Sequence, residues 1–460
     1  MYNITIKEDN DIVAVNEHSK FTGVRPVFYD ELDLLGFDQY WNYPKTDLPL
    51  LWRKKRTYYN GGEIVANVKG GNLVDEPQLN IHQKDLTLEG FTIWQFKPYI
   101  QDLGNTAIDF VSSIFDNYPE MKTIVGYSGG KDSTVLLHII QNYAKIPKDS
   151  YDIIHMELDN AHEWVEQTVP SNAITVKADK TFKEYVKEFG LPSRMHRWCT
   201  KILKETPFNL EVNEPTLLFE GVRADESASR SDYLMLAKHS FNDNVMSARP
   251  LLNWNSTEIW AYTLLLDLPI NPLYRYGLDR LGCELCPFQS NWNEIIYPRL
   301  PVNNYNEYKN MIINYAKDAK GSVTDYLREG YWRNRGGGKF LNKNEKITQH
   351  KFDDKLYFEV ENNKGNIKEW LKIIPYKTTV YLKENGFDIL FEDLNAKEKS
   401  VCRKIIKKAT YCTECRLCES LCPTGALTMN PHYIDEDKCE QCHECIIENY
   451  HGCIRSKSLA

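Results

Sequence analysis

Ser128-Gly129-Gly130-Lys131-Asp132-Ser133 decides how this chain is read. The six residues follow Thr123-Ile124-Val125-Gly126-Tyr127, an apolar run that predicts a buried strand. They precede Thr134-Val135-Leu136-Leu137-His138-Ile139-Ile140, which predicts the first turns of a packed helix. A strand, a glycine-rich turn and a helix N-terminus together make an anion site. The glycines let the backbone approach a phosphate, free helix N–H groups point at it, and Lys131 adds a full charge. A Walker A loop is excluded. Gly126 to Gly130 is one residue too short, and Asp132 stands where Ser or Thr should follow the lysine.

A second anion signal lies downstream. Thr216-Leu217-Leu218-Phe219 predicts another buried strand, and Gly221-Val222-Arg223-Ala224-Asp225-Glu226-Ser227, with Arg230, follows it. Residues just past a strand end lie where open α/β sheets bind ligands. Arginine presents a planar fork that suits phosphate or sulfate oxygens. Glu226 would orient Arg223 or contact a ribose.

The first stretch resembles the PP-loop of the ATP-pyrophosphatase superfamily. Further segments resemble the phosphoadenosine phosphosulfate (PAPS) reductase family. They are Arg197-Trp198-Cys199-Thr200-Lys201-Ile202-Leu203-Lys204, the Gly221–Arg230 turn, Arg249-Pro250-Leu251, Trp254, Asn271-Pro272-Leu273-Tyr274 and Gly282-Cys283-x-x-Cys286-Pro287. They occur in the family's order over about residues 120–300. The resemblance implies an α/β fold with a parallel-sheet PP-loop domain. It implies that Ser128, Gly129, Gly130, Lys131, Asp132, Ser133, Gly221, Arg223, Glu226 and Arg230 bind an adenine nucleotide. Lys131, Arg223 and Cys199 would then carry the chemistry.

The chain departs from that family in three ways. Iron–sulfur members use a Cys-Cys pair and a later Cys-x-x-Cys for a 4Fe–4S cluster, whereas this chain has Cys199-Thr200. Cys199, Cys283 and Cys286 therefore hold a cluster with an open iron or a non-cysteine ligand, or bind zinc with His196, or are buried thiols. The Glu-Cys-Gly-Leu-His tail of the thiol-dependent reductases is missing; Cys402 reads first as a buried structural thiol and only as a remote candidate for the nucleophile. The Lys131-Asp132 pair is typical of members that split ATP between the α and β phosphates.

The C-terminus carries a second signature. Cys412-x-x-Cys415-x-x-Cys418-x-x-x-Cys422-Pro423 is the bacterial ferredoxin run, and Cys439-x-x-Cys442-x-x-Cys445 follows, with Cys453 beyond. In two-cluster ferredoxins the fourth cysteine of a run ligates the other cluster. Cys412, Cys415, Cys418 and Cys453 would hold one 4Fe–4S cluster, and Cys439, Cys442, Cys445 and Cys422 the second. Repeated triple cysteines with Cys-Pro favour iron–sulfur over zinc.

The 460 residues are enough for about three domains. The expected order is a β-rich module over 1–115, the PP-loop domain over 116–340, a small α/β connector over 341–407, and a ferredoxin-like α+β domain over 408–460. Within the first, Arg56 to Val68 predicts a hairpin turning at Asn60-Gly61-Gly62. The net charge of −8 argues against nucleic-acid binding over the whole surface. The twelve cysteines are placed without disulfides, which points to a reducing cytoplasm. No transmembrane run or signal peptide is expected. Two clusters mix basic residues with aromatics, Arg53-Lys54-Lys55-Arg56 with Tyr58 and Tyr59, and Tyr331-Trp332-Arg333-Asn334-Arg335. They are candidate RNA contacts or solvated faces.

Two enzyme readings follow. One is a sulfonucleotide reductase that binds PAPS or adenosine phosphosulfate and draws electrons from an external donor through its own ferredoxin domain. The other is an ATP-dependent sulfurtransferase of the tRNA-thiolation type, with sulfur at the three-cysteine site, ATP and magnesium at the turn, and RNA as partner. A third reading, an electron-transfer or scaffold protein with a decayed nucleotide site, conflicts with the intact turn.

Overall fold

The apolar run before the glycine-rich turn folds as β1 (Lys122–Tyr127) at the centre of a six-stranded sheet. The computed structural model describes residues 3–6, 12–15 and 23–446, apart from positions 145, 193, 195–196, 228–229, 318–321, 334–345, 362–365, 412–416, 421 and 430. The other strands are β2 (Tyr151–Met156), β3 (Ile174–Val176), β4 (Thr216–Phe219), β5 (Leu236–His239) and β6 (Asn242–Ala248). Their order is β3-β2-β1-β4-β6-β5. All neighbours are parallel except β5 and β6. Ile124, Val125, Leu217, Leu218 and Phe219 are buried. Strands covered on both faces read as continuous apolar runs, which is why these were visible in the sequence.

The strand order reverses between β1 and β4, and ligands of such sheets bind outside the carboxyl ends of the strands at that point. Helix α1 (Lys131–Asn142) leaves β1 there and buries Val135, Leu136, Leu137, Ile139 and Ile140. Helix α2 (Ser256–Leu265) packs against it. Asn255 caps α2, accepting from the N–H groups of Thr257 and Glu258 at 2.9 and 3.0 Å, while Glu258 accepts from the Asn255 N–H at 2.7 Å.

The chain divides into two compact units: 1–177 with 212–313 and 321–329, and 178–211 with 314–320 and 330–460. The first unit also holds a five-stranded antiparallel sheet of Val24–Val27, Leu51–Lys54, Thr57–Asn60, Glu63–Gly70 and Pro77–Ile81, in that order. Its hairpin turns at Gly61-Gly62, with Gly61 at φ 58°. A long helix runs from Lys97 to Asn117. Gly104, which weakens the helical pattern in the sequence, lies where a Cβ would be 3.5 Å from the Tyr262 ring.

In the second unit, helix Phe182–Phe189 starts on a Thr181–Glu184 capping box and ends at Gly190, φ 74°. Its Phe182, Tyr185 and Phe189 rings enclose Trp198. An antiparallel sheet follows, ordered Lys346–Lys351, Leu356–Glu361, Gly386–Phe391, Thr378–Lys383. One core runs from Leu356 to Ile446 and includes Trp370, Cys402 and Cys418. The 341–407 and 408–446 segments therefore share packing. The helix Thr206–Glu211 packs against the short helix Leu417–Ser420, which carries Cys418. The triple glycine at 336–338 lies outside the described residues. Among the described residues no helix is long and apolar enough to cross a membrane.

Candidate functional site

The turn after β1 is built for close approach. Gly129 sits at φ 73°, and a Cβ there would lie 2.9 Å from Val165 Cγ1. Ser133 is spent on the turn itself. Its Oγ donates to the Gly130 carbonyl at 2.9 Å and accepts from the Ser128 N–H at 3.2 Å. No side chain of the N-cap residue, Gly130, closes the first turn of α1. The first amides of a helix have no partner within it and can meet an anion, although the first of them here, that of Lys131, donates to the Tyr274 hydroxyl at 3.1 Å.

Asp132 gathers the charges. Its Oδ2 accepts from Lys131 Nζ at 2.8 Å and its Oδ1 accepts from Arg223 Nε. Arg223 Nη1 also pairs with Asp225. Burial alone would raise the Asp132 carboxyl, but Arg223 and Lys131 hold it well below the carboxylate range. Burial pulls the Lys131 ammonium below its ordinary value despite Asp132. Gly221 explains how β4 reaches the loop: a Cβ there would stand 3.0 Å from the Asp132 carbonyl carbon and 3.1 Å from Ser133 N. Glu226 pairs with Arg230 and accepts from Arg280 Nη2 at 2.8 Å. Two residues escaped the sequence reading as site residues, Arg280 and Tyr274. The Tyr274 hydroxyl accepts from the Lys131 N–H at 3.1 Å. A cavity of about 230 Å³ opens beside the turn, lined by Gly129, Lys131, Thr134, Thr168, Asn271 and Tyr274 among others.

The cysteines fall in both units. Cys283 and Cys286 belong to the first, where Gln289 Nε2 donates to the Cys283 carbonyl at 2.5 Å and its Oε1 accepts from the Cys286 N–H at 3.3 Å. Cys199 belongs to the second, on the turn Trp198–Thr200, and a π-helical turn, Lys201–Glu205, follows it directly. Such turns are frequent at functional sites. His196, the candidate fourth zinc ligand, lies outside the described residues.

Cys422, Cys439, Cys442 and Cys445 line one cavity. Gln441 and His443 adopt left-handed φ of 52° and 64°, which curls the Cys439–Cys445 segment around it. The Lys408 ammonium donates to the Cys445 carbonyl. Among the described residues no three His, Cys, Asp or Glu side chains are spaced for a single metal ion. Four thiols are the donor set of a 4Fe–4S cluster and of a four-cysteine zinc site alike. Cys418 is buried, while Cys412, Cys415 and Cys453 lie outside the described residues.

Cys402 takes the first of its two readings, and the basic clusters are corrected. Cys402 is fully buried and its thiol is pushed up to about 12, so it is not a nucleophile. The basic clusters are not continuous surfaces. Arg53 is fully buried, paired with Glu31 at 2.8 Å and Asp279 at 2.5 Å, and stacked 4.4 Å from the Trp292 ring centroid. Tyr58 is buried on Glu31 at 2.8 Å. Trp332 and Arg333 are buried as well. For Arg53, acidic partners distant in sequence, Glu31 and Asp279, make that burial possible.

The parallel sheet, the glycine-rich turn at its switch point and the arginine turn beside it give this domain the PP-loop arrangement. Residues 122–289 match the phosphoadenosine phosphosulfate reductase domain family, from the start of β1 to just past the Cys283–Cys286 turn. An uncharacterized protein of Methanocaldococcus jannaschii is 26% identical over 345 residues, covering 71% of this chain and 65% of that protein. The chain thus spans about 65% of that relative's length. The adenosine 5'-phosphosulfate reductase of Bacillus cereus is 26% identical over 193 residues, 40% of this chain and 81% of that enzyme. Among solved structures, the PAPS reductase of Candida auris in complex with phosphate aligns with a TM-score of 0.31 and 16% identity, over 42% of this chain and 98% of that one.

Proposed function

We propose that this chain is a sulfonucleotide reductase-like redox enzyme. It binds adenosine phosphosulfate or PAPS at the PP-loop and takes electrons from an external donor through its own C-terminal ferredoxin-like domain. One observation carries the reading: an anion site at the sheet's switch point shares a chain with a cavity lined by four thiols at ferredoxin spacing. The match of residues 122–289 to the PAPS reductase domain supports it.

In this reading Lys131, Arg223 and Arg230 hold the phosphate and sulfate oxygens, and the turn's glycines admit them. Cys199 is the redox thiol, with Arg197 and Lys201 two residues to either side of it in sequence. Cys439, Cys442, Cys445 and Cys422 would hold one 4Fe–4S cluster, and Cys412, Cys415, Cys418 and Cys453 a second. Such clusters supply one-electron transfers at low potential. The reaction breaks the bond between sulfur and the phosphate oxygen. Two electrons pass to sulfur, and sulfite leaves together with the nucleoside phosphate.

The Lys131–Asp132–Arg223 arrangement also favours a second reading, an ATP-dependent sulfurtransferase that adenylates its substrate. One assay separates them. Anaerobic protein is supplied with a low-potential reductant and, in turn, adenosine phosphosulfate, PAPS and ATP. Sulfite release supports the reductase, and pyrophosphate release from ATP alone supports the transferase.

A further inference from the structure

The N-terminal sheet, to which the sequence assigned no role, directs its buried charges at one short segment. Arg25 donates through Nη2 to the Tyr274 carbonyl and through Nη1 to the Leu278 carbonyl at 2.5 Å. Arg53 donates through Nη2 to the Gly277 carbonyl at 2.9 Å and to Asp279 at 2.5 Å. Glu31, fully buried, binds Arg53 at 2.8 Å and Arg25 at 3.5 Å. Gly277 is at φ 107°, and a Cβ there would lie 2.9 Å from Glu31 Cδ, so only glycine admits this approach. Arg275 pairs with Asp30 at 2.9 Å. Buried charges are costly unless paired, and here the paired set grips the backbone of residues 274–279.

What that segment presents is the Tyr274 side chain. The residue is buried, with Trp260 edge-on to its ring at 5.2 Å and the Lys131 ammonium 5.7 Å from its ring centroid. The hydroxyl accepts from the first amide of α1, that of Lys131. A Cβ on Gly130 would lie 3.2 Å from this oxygen, so the turn's second glycine also leaves room for it. A phenol has one proton to donate besides its acceptor sites. Among the described residues that proton has no acceptor. Burial, reinforced by Asp132, keeps the phenol protonated. Arg280 and Arg223 act on it against the larger effect of Asp132, and Tyr274 lines the cavity beside the turn together with Gly129, Lys131 and Thr134.

We propose that Tyr274 is a phosphate-binding residue, donating its hydroxyl proton to an oxygen of the bound nucleotide, and that the N-terminal sheet holds it in place through Arg25. This rests on the PP-loop reading and adds a donor from a different part of the chain.

The full-length protein is titrated calorimetrically with ATP and with adenosine. Tyr274→Phe keeps the ring and removes only the hydroxyl. It should weaken ATP about tenfold, the worth of a hydrogen bond to a charged group, and leave adenosine unchanged. Arg25→Lys keeps the charge but loses the fork that spans two carbonyls. It should weaken ATP selectively and add nothing further to Tyr274→Phe. Equal losses for ATP and adenosine, or undiminished ATP binding by Tyr274→Phe, overturn the proposal. Lys131→Ala tells the two failures apart. If it abolishes ATP binding while Tyr274→Phe does not alter it, the role of Tyr274 falls and the PP-loop stands. If neither variant alters ATP binding, the PP-loop reading falls with it.

Discussion

Arg223 and Asp132 form a buried ion pair, guanidinium Nε on carboxylate Oδ1, that ties the turn after β4 to the first turn of α1. Nη1 is engaged by Asp225, and Nη2 has no partner among the described residues. The pair thus fixes the guanidinium at the switch point and leaves one edge for an anion.

Lys131→Ala and Gly130→Val should each abolish binding of adenine nucleotides. The first removes a buried charge, and the second fills the space beside the Tyr274 hydroxyl. Iron content should not change in either variant. Calorimetry beside metal analysis checks both halves.

Asp132→Asn should destabilise the protein by about 3–5 kcal/mol at pH 7, because it leaves Lys131 and Arg223 buried without their counter-charge. The folded-state carboxyl lies below its unfolded value. Its contribution is therefore complete above the unfolded pKa of about 3.9 and is lost as pH falls toward the folded value. Urea unfolding at pH 7, 5 and 3 should show a constant wild-type advantage down to about pH 5 that shrinks at pH 3. An advantage independent of pH would contradict the ion pair.

Glu258 gives the opposite sign. Burial pushes its carboxyl up to about 7, so the folded state holds the proton more tightly than the unfolded chain. Stability should fall as pH rises from about 4.5 to about 7. Glu258→Gln keeps an acceptor for the Asn255 N–H and has no proton to lose. It should stabilise the protein at pH 8 by on the order of 2 kcal/mol and change little at pH 4. Equal effects at both pH values would contradict the shifted carboxyl.

The C-terminal module of protein prepared without oxygen should carry about eight irons, as two 4Fe–4S clusters require, apart from any iron held at Cys199, Cys283 and Cys286. Cys439→Ser should remove about half of them and leave nucleotide binding intact. Stoichiometric zinc in place of iron would reject the ferredoxin-like assignment.

Much of the nucleotide domain was legible because its signals are local. β1, β2 and β4 are buried on both faces and read as apolar runs, and the glycine-rich turn sits between two of the clearest elements. The cysteine spacing was legible for the same reason: Cys439, Cys442 and Cys445 are neighbours in sequence and line one cavity. Pairing across the chain was not legible. Arg53 read as part of a basic face because its partners, Glu31 and Asp279, are remote in sequence. Tyr274 read as one aromatic in a motif, since no local pattern tells that its hydroxyl meets the Lys131 amide. The placement of residues 178–211 in the same compact unit as the cysteine-rich tail is likewise a property of tertiary packing.

The central claim is that this chain passes electrons to a sulfonucleotide, and single-turnover reoxidation tests it most directly. Full-length protein is reduced anaerobically, freed of excess reductant, and mixed with adenosine phosphosulfate or PAPS while its visible absorbance and sulfite are followed. The account predicts that the protein reoxidises on mixing and releases one sulfite for every two electrons lost, and that Lys131→Ala does neither. A protein that stays reduced with both sulfonucleotides, yet releases pyrophosphate from ATP, would contradict it.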